Sequence, residues 1–221
     1  MKIKSVKIKN FRGYRDEICV DFDNLTVLIG KNDIGKSTIL EALDIFFNEG
    51  SGAVKWDKDD LNVQSTEKGE NETIISVCFI ELPANIIIDS TVQTDLGSEY
   101  MINTDKNLEV IKKFKTQKPA IFIKALHPTN PECSDLLLKK NADLKNVANK
   151  LGIECENLRT NSTIRKAIWE HFNSDLKKLK LISLKRMQRK FGKIYPRIFH
   201  SIHYSKQTEE TVMMTVTFRT R

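Results

Sequence analysis

A glycine-rich segment near the amino end has the residue types and spacing that bind a chain of phosphates. Residues 30–37 read Gly-Lys-Asn-Asp-Ile-Gly-Lys-Ser and match the pattern G-x-x-x-x-G-K-[S/T] without a gap. Glycines let successive backbone N–H groups converge on an anion, and a helix that starts near Gly35 adds a partial positive charge. Lys36 supplies a full positive charge to the β- and γ-phosphates, and the Ser37 hydroxyl is placed to bind Mg²⁺. The pattern therefore predicts a site for a nucleoside triphosphate and Mg²⁺.

The elements around this segment are those that such a site needs. Residues 25–29 are apolar and β-branched, which is typical of a strand buried on both faces. From Lys36 onward, apolar residues recur at spacings of three and four and predict an amphipathic helix that ends before Gly50. Strand, glycine loop and helix follow one another. This order argues against the alternative, a glycine turn that holds Lys and Ser by chance.

The rest of the chain is predicted to be mixed α/β. Residues 2–9 alternate apolar and polar side chains, with a slip that suggests a bulge, and Trp56 is expected to anchor a surface loop at 50–71. We predict one helix that is capped by Ser134 together with the acidic Asp135 and ended by Gly152. The other predicted elements are strands at 18–22, 73–82, 99–103, 108–115 and 120–125, a hairpin turn at 105–107, and a helix at about 163–176.

Composition excludes several classes of protein. The 221 residues are 40% hydrophobic and 29% charged, unlike a disordered tail or a disulfide miniprotein. No stretch approaches the roughly 18 consecutive apolar residues of a membrane-spanning helix, so we expect a cytoplasmic protein without a membrane partner. The four cysteines are far apart and form no C-x-x-C pair, which indicates neither a zinc site nor a disulfide framework; they are Cys19, Cys78, Cys133 and Cys155.

The net charge of +7 is concentrated at the carboxyl end. Residues 177–221 contain 12 Lys and Arg against two Asp and Glu, whereas residues 1–176 contain 24 against 27. Basicity that could indicate nucleic-acid binding therefore comes from this basic tail (residues 177–221) alone. A nucleic-acid-binding module with a regulatory phosphate loop is accordingly the alternative to a nucleotide-driven ATPase. A small kinase would need an arginine-rich lid and an acceptor pocket, which we do not identify.

The amino-terminal motifs resemble a known family. A GTPase is disfavoured because no N-K-x-D loop is present: Leu151 and Gly152 follow Asn149 and Lys150. Residues 8–14 (Ile-Lys-Asn-Phe-Arg-Gly-Tyr) and 28–43 resemble the RecF and structural-maintenance-of-chromosomes branch of ABC-type ATPases. Within that branch they look most like the ATPase domain of the OLD nucleases and their Gabija-type relatives.

This resemblance implies a P-loop NTPase fold, here a partial ABC-type head with a mixed sheet, an antiparallel wing and C-terminal helices. It divides the chain into an ATP-binding lobe with the wing (1–130), a helical arm segment (131–176) and the basic tail. It also implies that Arg12 reaches the nucleotide from the first strand, with a solvated arginine as the alternative. The predicted ligands of ATP are Arg12, Gly30, Lys31, Asn32, Asp33, Ile34, Gly35, Lys36, Ser37 and Thr38, with Ser37 also on Mg²⁺.

Full-length relatives carry further catalytic parts, and they pair two heads around ATP to act on DNA. We find no L-S-G-G-like signature, Asp-Glu strand end or Toprim domain in these residues. Asp89, the nearest acidic strand end, is followed by Ser90 and is interpreted as a turn residue. Enzyme activity of this chain is therefore uncertain: we expect it to bind ATP and to hydrolyse it poorly. Homodimers and DNA are partners that the resemblance implies for the full-length proteins.

The basic tail is also consistent with a shifted reading frame. The codons of Met213, Met214 and Thr215 must contain the bases ATG-ATG-AC. In the reading frame that starts one base earlier, these bases include the codons GAT and GAC, which encode two aspartates. In that frame, residues 190–221 can read as an amphipathic run with an acidic patch, closer to the nuclease-type ATPases. We therefore hypothesise a frameshift between about 175 and 185 and a poorly ordered tail, which the nucleotide sequence of the gene tests.

Overall fold

The computed structural model describes residues 1–28, 35–48, 52–89, 92–133, 135–173, 179–183, 202–205 and 212–216. The chain divides into two compact units. The first unit comprises Met1–Glu81, Val110–Phe122 and Arg197–Arg221, and the second comprises Leu82–Glu109 and Ile123–Pro196.

Strands and helices alternate irregularly along the described chain. The strands are β1 (Lys2–Lys9), β2 (Ile18–Asp21), β3 (Thr26–Leu28), β4 (Thr73–Ile80), β5 (Ile86–Asp89), β6 (Val92–Thr94), β7 (Leu108–Phe114), β8 (Ala120–Leu126), β9 (Leu179–Ser183), β10 (Ile202–Ser205) and β11 (Val212–Val216). The α-helices are α1 (Lys36–Asn48), α2 (Val63–Glu67), α3 (Asn141–Lys150) and α4 (Asn161–His171).

The main sheet has the strand order β2-β1-β4-β7-β8-β9. Strand β1 is antiparallel to both β2 and β4, and its register against β4 shifts between Ile3 and Ser5. This shift is the predicted bulge. Val6 and Ile8 are fully buried in β1, as the alternation of side chains predicted.

Helix α1 packs its apolar face against β1. Because its apolar residues recur every three or four positions, they form one face of the helix, and this face is buried as a unit. The predicted anchor Trp56 is also confirmed: it is 3% exposed, its indole N–H donates to Thr73 Oγ1 at 3.0 Å, and its ring stacks on Phe114. The buried residues of α1 are Ile39, Leu40, Ala42, Leu43, Ile45 and Phe46.

The prediction that residues 25–29 form a strand buried on both faces is wrong for the described part. Strand β3 lies at the edge of a second sheet with the order β10-β11-β3 and pairs antiparallel with β11. Leu25 is 63% exposed and Val27 is 39% exposed. An apolar β-branched run fits an edge strand as well as a central one, because periodicity alone does not show what covers its faces.

The second unit contains the β5-β6 hairpin and a turn that replaces a predicted strand. Asp89 ends β5 and pairs with Val92 across a register shift. Residues 99–103 are not a strand, because local bonds occupy their backbone: Glu99 N–H donates to Asp95 O and Met101 N–H donates to Leu96 O. The predicted turn at 105–107 is present, and Lys106 N–H donates to Asn103 O at 3.0 Å to close it. It does not join two strands of a hairpin, because β7 follows the turn but no strand precedes it directly.

The single helix predicted up to Gly152 is two elements. A short 3₁₀ helix spans Leu136–Leu138, and α3 begins only at Asn141, because Lys139 and Lys140 are extended. Asp135 has φ of +59° and makes no side-chain cap, and Ser134 lies outside the described residues. Gly152 follows α3 with φ of +65°, a conformation that glycine adopts without strain and that ends helices.

Helix α4 begins slightly earlier than predicted and ends at His171 rather than near 176. Most of the basic tail lies outside the described residues, and its described part forms β9, β10 and β11. Among the described residues, no helix is both long and apolar enough to cross a membrane. The four cysteines, all described, form no disulfide.

Candidate nucleotide-binding site

The amino end of α1 supplies the described part of the phosphate site. Gly35 precedes the helix with φ of +92°, and Lys36, Ser37 and Thr38 form its first turn. The first N–H groups of a helix have no carbonyl partner within it, and the helix dipole makes this end partly positive. The first turn contains no acidic residue. The helix end, the Lys36 ammonium group and the exposed Ser37 hydroxyl therefore form a donor set that suits an anion with Mg²⁺.

The predicted ligands fall into two groups. Arg12 and the residues from Gly35 to Thr38 are described, whereas Gly30, Lys31, Asn32, Asp33 and Ile34 lie outside the described residues. Contacts of all these residues with a nucleotide stay predictions. In the described part of the chain, no group of three His, Cys, Asp or Glu side chains could hold a metal ion. Ser37 stays the predicted protein ligand for Mg²⁺, an ion that ordinarily keeps several waters beside one or two protein ligands.

Tyr14 touches the phosphate loop, and the sequence reasoning did not identify it. Its hydroxyl donates to the Gly35 carbonyl oxygen at 3.1 Å. A two-way backbone pairing holds it in place, because the N–H groups of Phe11 and Tyr14 each donate to the other residue's carbonyl at 2.9 Å. Partial burial raises the pKa of the Tyr14 phenol, so the hydroxyl keeps its proton as a donor. The signal available in the sequence was only its place in the segment Phe-Arg-Gly-Tyr.

Arg12 is held by two carboxylates beside α1. Its guanidinium forms an ion pair with Glu41 of α1 and donates to Asp60 Oδ1 at 2.8 Å. The backbone contributes as well, since Arg12 N–H donates to the Asp60 carbonyl at 2.6 Å. The guanidinium also lies over the Phe11 ring, 5.1 Å from its centre. Arg12 is therefore not a solvated arginine, and it links the 11–14 turn to α1 and to the loop before α2.

Two asparagine side chains also hold this turn. Asn62 Nδ2 donates to the Arg12 carbonyl at 2.6 Å, and Asn62 N–H donates to Asn10 Oδ1 at 3.0 Å. Asn10 is fully buried, and its Nδ2 donates to the carbonyls of Glu70 and Glu72. Because these amides bond several backbone groups of neighbouring segments, they hold the turn in place beside Gly35.

Comparison with known proteins identifies the family of the chain. The family described as "AAA ATPase domain" matches residues 1–219, which is nearly the whole chain. Endonuclease GajA of Bacillus cereus is 34% identical over 68 residues, or 31% of this chain and 12% of that protein. The DNA replication and repair protein RecF of Lactococcus lactis is 40% identical over 60 residues, or 27% of this chain and 16% of that protein.

A third relative, an uncharacterized protein of Methanocaldococcus jannaschii, is 40% identical over 50 residues, 23% of each chain. The matches thus cover less than a quarter of each of these three relatives. The resemblance to RecF-like and Gabija-type ATPases predicted from residues 8–14 and 28–43 is confirmed. Because the family match extends over almost every residue, the chain belongs to the AAA ATPase domain family and has its mixed α/β fold.

Proposed function

We propose that the chain binds ATP with Mg²⁺ through its glycine-rich loop, as the ATPase head of a DNA-processing protein. The observation that carries this proposal is the amino end of α1, where Lys36 and Ser37 stand in a first turn without acidic residues. That end attracts phosphate by the backbone N–H groups of its first turn and by the helix dipole. Membership of an ATPase family makes adenine nucleotides the expected ligand class.

The described residues at the start of α1 each have a role in this proposal. The Lys36 ammonium group pairs with the β- and γ-phosphates, and backbone N–H groups at the start of α1 bind the phosphate oxygens. The Ser37 hydroxyl, which is exposed, holds the metal ion. Bound Mg²⁺ would supply charge that offsets the phosphates and fixes their geometry. Thr38 is half-buried and either packs or assists at the α-phosphate.

We propose that the chain on its own turns ATP over slowly. Hydrolysis needs a group that orients water and positive charge opposite the P-loop lysine. The sequence has no signature motif and no Asp-Glu strand end, and Asp89 lies in the β5-β6 hairpin of the second unit. In relatives that pair two heads, each phosphate loop faces the other head's signature, and we propose DNA as the substrate that such a pair acts on. The printed functions of RecF and GajA support this assignment to DNA processing.

Calorimetric titration of the purified chain with ATP and Mg²⁺ tests the proposal. We expect measurable binding, and we expect Lys36→Ala to weaken it roughly 10- to 100-fold, the value of a charge-assisted hydrogen bond. Lys55→Ala is the matched control, because Lys55 is exposed and lies outside the loop. Absence of binding to the wild-type chain, or equal affinity of both variants, would contradict the proposal. Rapid turnover that Lys36→Ala abolishes would refute the slow-hydrolysis part alone.

The proposed role of Arg12 has its own test. In the structure, its guanidinium is engaged by Glu41 and Asp60, so contact with a nucleotide requires it to leave at least one of these carboxylates. If it does so, Arg12→Ala weakens ATP binding. Arg15→Ala is the control, because it removes another arginine close to the same turn, and it should leave the affinity for ATP unchanged. If Arg12 only holds the turn, the melting temperature falls and the affinity for ATP stays the same.

A further inference from the structure

The Gly35 carbonyl accepts two hydrogen bonds, one from the turn at residues 11–14 and one from α1. Tyr14 Oη donates to it at 3.1 Å, and Ile39 N–H donates to it at 3.3 Å as the first backbone bond of α1. A carbonyl oxygen has two lone pairs, so it accepts both donors at once. Together they fix the direction of this C=O group more tightly than the helical bond alone.

Fixing that carbonyl also fixes the next N–H group. The Gly35 C=O and the Lys36 N–H belong to one planar trans peptide, in which they point in opposite directions. Since the carbonyl points toward Tyr14 and into α1, the Lys36 N–H points away from the helix, on the side where an anion would bind. Gly35 has φ of +92°, and glycine rotates more easily than any other residue. Without a second donor, this peptide plane would have more freedom to turn.

We propose that Tyr14 is a positioning residue of the phosphate site: its hydroxyl sets the Gly35–Lys36 peptide so that the Lys36 N–H faces the phosphate chain. This inference rests on the proposed binding of ATP. The inference concerns recognition of the phosphate chain only, and it assigns Tyr14 no role in binding the base or the ribose. Tyr14 acts through Gly35 and needs no contact with the nucleotide.

The surroundings of Tyr14 suit a fixed support. The paired N–H groups of Phe11 and Tyr14 close the turn, and the Arg12 and Asn62 contacts hold that turn against α1 and the loop before α2. The ring lies so close to the loop that a Cβ added at Gly35 would come within 2.5 Å of Tyr14 Oη. Because these contacts lie within the chain itself, they preorganise the loop and lower the entropy cost of ordering the site.

The test compares Tyr14→Phe with the wild-type chain by calorimetric titration with ATP and with inorganic tripolyphosphate, each with Mg²⁺. The variant keeps the ring and removes the hydroxyl. We expect affinity to fall roughly two- to tenfold, the worth of one hydrogen bond, and by the same factor for both ligands. Tyr100→Phe is the matched control, because Tyr100 is another partly buried tyrosine and lies in the second unit. It should leave both affinities unchanged.

Three results would overturn the inference. Equal affinities of Tyr14→Phe and wild type would show that the hydroxyl does not position the loop. A loss for ATP with none for tripolyphosphate would place Tyr14 at the base instead. A reduced number of sites at unchanged affinity would show a merely structural role, because destabilised protein lowers the active fraction. Failure of the wild-type chain to bind either ligand would instead refute the proposed function, which keeps the two failures distinct.

Discussion

Lys112 Nζ donates to the carbonyl oxygen of Phe46 at 2.6 Å and lies 4.9 Å from the centre of the Phe46 ring. Lys112 is fully buried in β7, and Phe46 lies in the last turn of α1. The last carbonyls of a helix have no N–H partner within it and carry partial negative charge. A buried ammonium group therefore stabilises the carboxyl end of the helix whose amino end carries the candidate phosphate site.

Lys112→Met should destabilise the first unit by about 1–3 kcal/mol. Methionine preserves most of the aliphatic volume, but it leaves the Phe46 carbonyl without this donor, and a buried unsatisfied carbonyl costs about that much. Urea unfolding followed by circular dichroism measures the change. Lys118→Met is the control, because Lys118 is exposed. A variant as stable as the wild type would show that the bond contributes nothing net.

Glu99 and Arg165 form a buried bidentate ion pair in the second unit. Arg165 Nε lies 2.8 Å from Oε2 and Arg165 Nη2 lies 2.7 Å from Oε1, and both side chains are 1% exposed. Arg165→Met should cost about 3–5 kcal/mol, because the carboxylate stays buried without this partner. The measurement is the shift of the urea midpoint.

A double variant separates the pair from its parts. Glu99→Leu combined with Arg165→Met should recover much of the lost stability, since replacing both charges removes the burial penalty. Lys166→Ala is the surface control: its ion pair with Glu170 is more than half exposed and should be worth less than about 1 kcal/mol. Equal losses in the buried and the surface variants would contradict this account.

Gly35→Ala and Gly69→Ala should differ in their effect on nucleotide binding. Both glycines have positive φ, +92° and +80°, so each substitution should cost about 1–2 kcal/mol of stability. Only at Gly35 does a new Cβ meet another group, the Tyr14 hydroxyl at 2.5 Å. Gly35→Ala should therefore also weaken ATP binding in calorimetry, while Gly69→Ala should not. Unchanged affinity in Gly35→Ala would show that displacing Tyr14 has no consequence at the loop.

The sequence predicted best the elements whose chemistry is local. The glycine-rich pattern predicted where α1 starts, and the alternation in β1 predicted its buried side chains and its bulge. Trp56 was predicted correctly because a lone indole in a polar loop has few alternatives to burial. Each of these inferences needs only the residues within one segment.

Prediction was weakest where distant segments decide the outcome. The sheet partner of β3 comes from residues 212–216, and no periodicity in Leu25 or Val27 shows which strand will pair with them. A lysine such as Lys112 looks solvated unless the carbonyl that it meets, 66 residues away, is known. Tyr14 and Gly35 are likewise 21 positions apart, so their contact is a property of the folded chain.

Asp95 gives the second unit a pH dependence to which Ser98 contributes two hydrogen bonds. Although burial raises the pKa of this carboxyl, hydrogen bonds outweigh it and hold the pKa below its ordinary value. The Ser98 hydroxyl donates to Asp95 Oδ2 at 2.5 Å, Ser98 N–H donates to Oδ1 at 2.8 Å, and Lys166 adds an attraction. A carboxyl whose pKa is lower in the folded state stabilises the fold above its unfolded pKa of about 4, and this stabilisation is lost as the pH falls through the folded value.

Ser98→Ala should accordingly lower stability by about 0.5–1.5 kcal/mol at pH 7, a modest value because Asp95 is only partly buried and water screens it. The difference from the wild type should stay constant between about pH 5 and pH 7 and shrink as the pH falls below about 4, where Asp95 becomes protonated. Urea unfolding of both proteins across this range measures it, and taking the difference cancels the titration of all other carboxylates. In an Asp95→Asn background, Ser98→Ala should have an effect that does not change with pH. A difference that grows on acidification would mean that Ser98 stabilises the protonated carboxyl. That result would contradict the hydrogen bonds described, in which Ser98 donates to both oxygens of the carboxylate.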